Sequence, residues 1–127
     1  MQMFGYGIKG FLHWGYNYYY NCESDSPINP FLELSGECWA PAGDPFIVYP
    51  GREGKPIGSI RHEVFYHALE DVRAMELCSR MYSKEAVISA IEDELGYKLD
   101  MCSSARTADV IIRVRERINA MIGAALA

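Results

Sequence analysis

Apolar residues follow two different rhythms along this chain. In the first half they come in short, nearly unbroken runs: Ile8, Phe11, Leu12 and Trp14, then Phe46, Ile47, Val48 and Tyr49. Runs this continuous suit strands covered on both faces, as in a parallel sheet; half-wet strands alternate instead. In the second half the spacing changes to three and four, the period of a helix. Ile60, Val64, Ala68, Val72, Met75 and then Cys78 or Ser79 form one stripe. Val87, Ile88, Ile91 and Leu95 form a second, and Val110, Ile111, Val114, Ile118, Met121 and Ile122 a third. Capping residues sharpen the bounds. Ser59 is placed to cap the first helix, its oxygen meeting an amide near His62, and that helix runs to about Tyr82. Ser83 can cap the second helix, and Gly96 suits its C-terminal turn. The third is predicted over 105–125.

Between the two apolar runs, 21–42 reads as loop, with turn signals at Asp25-Ser26-Pro27, Asn29-Pro30, Ser35-Gly36 and Pro41-Ala42-Gly43. Loops this long inside a compact domain tend to be functional. This one carries Phe31, Leu32, Leu34 and Trp39 and is expected to fold down onto its neighbours. Pro50-Gly51 stops the second strand, and 52–58 reads as a polar turn. The inventory is α/β: about two strands and three helices in a single segment, 1–58 strand–loop–strand and 59–127 terminal helices. Two strands alone make a marginal sheet in water. A complete (β/α)8 barrel needs about 250 residues, roughly twice the 127 present. The pattern therefore predicts the C-terminal fragment of a TIM-type barrel, with two parallel strands, whose post-strand loops build the active site.

Composition bounds the partners. At 50% hydrophobic and 23% charged, the chain is ordinary for a globular domain. A net charge of -5 argues against nucleic acid or an anionic membrane, either of which favours a basic face. Arg113, Arg115 and Arg117 are offset by Asp109 and Glu116, as on a solvated helix face. No apolar run approaches the roughly 20 residues that span a bilayer. The first residues, Met-Gln-Met-Phe-Gly-Tyr, show no signal peptide, so the chain as it stands reads as cytoplasmic. Cys22, Cys38, Cys78 and Cys102 lack C-x-x-C spacing and are expected to be reduced thiols. His62 and His67 are off a common face and His13 stands alone, so neither a zinc site nor another cofactor is expected.

The densest chemistry lies at 14–20, where Trp14, Tyr16, Asn17, Tyr18, Tyr19 and Tyr20 crowd together. A flat ring with a polar handle suits the alternating C–H faces and hydroxyls of a sugar. Trp14, where a strand meets its loop, is either a sugar-stacking platform or a core tryptophan with its N–H satisfied. Tyr16 and Asn17 can hydrogen-bond substrate hydroxyls or fix the loop; Tyr49, at the end of the second run, is a further substrate-binding candidate. Tyr18 to Tyr20 read as loop packing and Asp44 as a turn cap. Four residues read as structural. Arg61, a cation in a first helical turn, needs a carboxylate partner because the helix dipole disfavours it there. Glu63 shares that turn, and Glu70 and Asp71 read as anchors on the helix surface.

Four phrases in series carry a family resemblance: Gly7-Ile-Lys-Gly-Phe-Leu-His-Trp-Gly-Tyr-Asn17, Ala42-Gly-Asp-Pro-Phe-Ile-Val-Tyr-Pro-Gly51, Pro56-Ile-Gly-Ser-Ile-Arg-His-Glu63 and Leu69-Glu-Asp71. From residue 4 to about 80 the chain resembles the C-terminal part of glycoside hydrolase family 123 and relatives long catalogued as a domain of unknown function. The resemblance implies a β/α-barrel exo-hydrolase of N-acetylhexosaminides, of β-N-acetylgalactosaminidase type. There the sugar's acetamido carbonyl attacks the anomeric carbon, helped by an adjacent Asp-Glu pair, a route outside the usual two-carboxylate scheme. No such pair precedes Gly7. Glu70-Asp71 is reversed and mid-helix, and the acids near strand ends (Glu23, Asp25, Glu33, Glu37 and Asp44) are not adjacent. No catalytic residue is therefore assigned. The chain by itself is expected to be catalytically silent and to self-associate. The alternative is a non-catalytic carbohydrate-binding or protein-interaction remnant.

Overall fold

The computed structural model describes residues 1–21, 26–36, 40–105 and 107–127. Cys22, Glu23, Asp25, Glu37, Cys38 and Trp39, each singled out above, lie outside them. The order is α1 (Gln2–Gly5), β1 (Val48–Pro50), a single 3-10 turn (Arg52–Gly54), β2 (Pro56–Gly58), α2 (Ile60–Met81), α3 (Lys84–Leu95) and α4 (Ala108–Leu126). It is a mixed helix-and-strand chain with two compact units, Met1–Gly10 with His67–Ala127, and Phe11–Tyr66.

The three long helices lie where the spacing predicts them, and their caps are the expected ones. The Ser59 hydroxyl accepts the His62 amide at 3.3 Å, and Ser83 accepts that of Ala86 at 3.1 Å. Gly96 takes the left-handed conformation (φ 75°) that ends α3, a conformation cheap only without a Cβ. α1 went unpredicted, since four residues are too few for a periodic signal.

In the first unit the core joins Phe4 of α1, Met75 and Cys78 of α2, Val87 and Ile91 of α3, and Val114 and Ile118 of α4. Polar contacts tie the same elements. Asp71 accepts from Arg115, linking α2 to α4. Arg113 pairs with Glu94 at 3.4 Å, and the Tyr82 hydroxyl donates to the Met121 carbonyl at 2.9 Å. Glu70 meets His67 at 2.8 Å, one turn back, and that hydrogen bond holds its carboxyl below the usual range. Cys78 and Cys102 are free thiols, and burial pushes the Cys78 thiol up. Among the described residues no helix is long and apolar enough to cross a membrane.

The second unit corrects two expectations. The sheet is not a pair of parallel strands; among the described residues it is an antiparallel hairpin, with Val48 opposite Gly58, Tyr49 opposite Ile57 and Pro50 opposite Pro56. The 52–58 stretch read as turn thus supplies a strand, and the run at 8–14 lies in no strand. The reason is locality. Pro50-Gly51 and Gly54 can close a short hairpin with few residues, whereas a parallel partner requires a long crossover connection. The second correction concerns α2, where Ile60 and Val64 were expected to face inward. They are 74% and 61% exposed, and the stripe is buried only from Met75 onward.

Candidate functional site

Phe46 is the centre from which the Phe11–Tyr66 unit is built. Its ring is fully buried, against the rings of Tyr19 (5.9 Å) and Tyr49 (5.3 Å). The aromatic segment runs alongside it. The Tyr18 amide donates to the Pro45 carbonyl at 3.0 Å and the Ile47 amide to the Tyr16 carbonyl at 2.8 Å, so Asn17 pairs antiparallel with Phe46. Gly15 is required here. A Cβ at that position would come within 2.8 Å of the Pro45 backbone.

This pairing fixes where each aromatic goes. The Tyr19 hydroxyl donates to the Val48 carbonyl at 2.7 Å, and burial raises its pKa. Tyr18 and Tyr20 meet edge to face at 5.7 Å, the loop packing expected of them. Trp14 is not a core residue, although its N–H is satisfied. Its indole N–H donates to the Asp44 carboxylate at 3.2 Å, yet the residue is 52% exposed. Asp44 also faces the His13 ring at 3.7 Å. His13 in turn accepts the Gly15 amide at 3.2 Å through Nδ1, leaving Nε2 on the Asp44 side.

Arg61 is held differently from the ion pair anticipated. Among the described residues its partners are the Phe46 carbonyl (3.2 and 3.1 Å) and the Tyr49 hydroxyl (3.1 Å). The guanidinium also lies over the Phe46 and Tyr49 rings, at 5.9 and 5.7 Å. A carbonyl oxygen and two π-faces offset the unfavourable position at a helix start without a carboxylate. Gly43 lies against the same group. It has φ 84°, and a Cβ there would meet Arg61 Nη1 at 2.7 Å. Glu63 is exposed, 3.7 Å from the His62 ring. No signal in the sequence marks the carbonyl contact, because backbone acceptors have no residue code.

Two of the four expected substrate-binding residues come together. Asn17 and Tyr49 line one cleft of about 200 Å³, with Tyr19, Pro50, Lys55 and Pro56. Trp14 and Tyr16 are not part of its lining. Trp14 sits with Asp44, His13 and Tyr18, and Tyr16 turns its ring edge to His62 at 6.4 Å. Phe31, from the long loop, covers Tyr49 at 5.2 Å, while Leu32 beside it stays exposed. Lys55 was not singled out by the sequence, since it falls in the stretch read as turn. A further acidic pair in Asp-Glu order, Asp93-Glu94, lies near the end of α3, and Glu94 is taken by Arg113. That places it on the surface of a helix.

Residues 1–78 match the family described as Glycoside hydrolase 123, catalytic domain. No curated protein was found to match the chain.

Proposed function

Because this chain belongs to the glycoside hydrolase 123 catalytic-domain family, we propose that it supplies the aromatic sugar-binding wall of an N-acetylhexosaminidase barrel, β-N-acetylgalactosaminidase-like in substrate. In the complete enzyme it forms the closing part of a (β/α)8 barrel. The observation that carries this reading is Trp14. Its N–H is anchored on Asp44 while half of the residue remains exposed, the arrangement by which a ring is held edge-on by a polar contact and offers apolar surface to a sugar. The Asn17–Tyr49 cleft adds hydrogen-bonding groups on the same unit. Exposed Phe11 and Leu12 support the barrel reading, being apolar surface that neighbouring strands would cover. Self-association of the isolated chain follows from the same surface.

Trp14→Ala is expected to weaken binding of N-acetylgalactosamine by about 1–3 kcal/mol, the scale of one large apolar contact. Titration calorimetry on the purified chain measures it, and unchanged affinity would reject the wall role.

A second reading, a non-catalytic carbohydrate-binding or protein-interaction remnant, is favoured by one observation. No described acid pair lies at a strand end, where a general acid could reach a leaving oxygen beside its nucleophile. The purified chain is therefore expected to leave a chromogenic N-acetylgalactosaminide intact; measurable turnover would remove this second reading.

A further inference from the structure

The Asn17–Tyr49 cleft includes a cationic residue, Lys55, in its lining. Lys55 reaches it from the end of the turn that joins β1 to β2. The chain has four lysines, and the other three are engaged: Lys9 with Glu76, Lys98 with Glu92, and Lys84 over the Phe4 ring. Lys55 is exposed and forms no ion pair among the described residues.

The turn that presents it is set tightly. Gly51 packs so closely on the Lys55 carbonyl that a Cβ would collide with it. The Lys55 amide donates to the Arg52 carbonyl at 3.1 Å. Glu53 and Gly54 both take left-handed conformations, φ 55° and 74°, and a glutamate holds that geometry only where its surroundings impose it. The backbone under Lys55 is therefore preorganised. Tyr49 also lines the cleft, and its hydroxyl accepts from Arg61. Asn17 and Lys55 line the cleft together with Tyr49, Pro50, Pro56 and Tyr19. At about 200 Å³ it has room for a single sugar ring, being below the range typical of larger ligands. A lysine in that lining suits a ring that carries negative oxygens as well as hydroxyls.

We propose that Lys55 is a specificity residue for an anionic substituent, a sulfate ester or a uronic carboxylate, on the carbohydrate that this cleft takes. The inference rests on the reading that the cleft binds sugar. Titration calorimetry on the full chain would compare N-acetylgalactosamine, its 4-sulfate and 6-sulfate, glucuronic acid and inorganic sulfate. Because Lys55 is exposed, the expected preference for a charged sugar is modest, about three- to five-fold, and shrinks as salt is added. It should vanish in Lys55→Gln and persist in Lys55→Arg. The sulfated sugars and glucuronic acid separate the two sources of negative charge. Equal affinity for neutral and charged sugars, or a preference that survives Lys55→Gln, overturns the inference and leaves the sugar cleft standing. Inorganic sulfate binding as tightly as a sulfated sugar also overturns it, since the site would then read charge alone. A folded chain that binds no sugar at all overturns both.

Discussion

Replacing Phe46 with alanine is expected to destabilise the Phe11–Tyr66 unit by about 3–5 kcal/mol, the usual cost of deleting a buried phenylalanine. The ring is fully buried, and two aromatic rings and a guanidinium rest on it: Tyr19, Tyr49 and Arg61. Its removal leaves a cavity that these partners cannot close without moving. Each is held by a second bond, Tyr19 to the Val48 carbonyl, and Arg61 to the Phe46 carbonyl and Tyr49. Collapse into the cavity would break those bonds, so the cavity should persist and the cost should sit high in the range. Against a total stability of about 5–15 kcal/mol for a whole domain, such a loss unfolds much of the unit. Urea unfolding followed by tryptophan fluorescence measures it. Leu12→Ala is the matched control: Leu12 is 91% exposed, and surface truncations usually fall within about 0.5 kcal/mol. A Phe46→Ala loss no larger than that of the control would mean that Phe46 is not the centre of this unit.

What could be read from the sequence, and what could not, divides along local and non-local physics. Helix bounds and caps depend on residues within four positions, so Ser59, Ser83 and Gly96 announced themselves. Strand pairing depends on a partner that sequence does not name. The apolar run at 8–14 resembles a buried strand by composition, yet no described residue pairs with it as one. The chemically plain stretch Pro56-Ile57-Gly58 pairs because Pro50-Gly51 and the 3-10 turn fold it back onto β1. The inward stripe of α2 failed for the same reason. Periodicity places Ile60 and Val64 on one face but cannot say whether anything covers that face. At the site, residue types were legible and partners were not. Aromatic crowding pointed to Trp14, Tyr16 and Asn17, and the end of the second apolar run to Tyr49; that Asn17 and Tyr49 share a cleft follows from the Asn17–Phe46 pairing. Lys55 carries no signal until the hairpin places it there.

The helical unit offers the second large effect. Ile91→Ala should cost about 2–5 kcal/mol, measured as a lower midpoint in thermal unfolding followed by far-UV circular dichroism. Ile91 is fully buried in α3, in one cluster with Met75 and Cys78 from α2 and Val114 and Ile118 from α4. Truncation strips three carbons from the place where three helices meet, and β-branched neighbours such as Val87, Val114 and Ile118 adjust poorly, because their χ1 angles are nearly fixed within a helix. One term opposes the loss. Alanine is the better helix former, and the swap recovers a few tenths of a kcal/mol in α3. That is small beside the cavity cost, so the sign is decided. Ile112→Ala isolates the opposing term: Ile112 lies on α4 but is about half exposed, so propensity acts there with little burial to lose. The two substitutions should therefore separate by at least about 1.5 kcal/mol, Ile91→Ala clearly destabilising and Ile112→Ala near neutral. If both shift the midpoint equally, the helices do not converge on Ile91, and the packing assigned to the terminal helices is wrong.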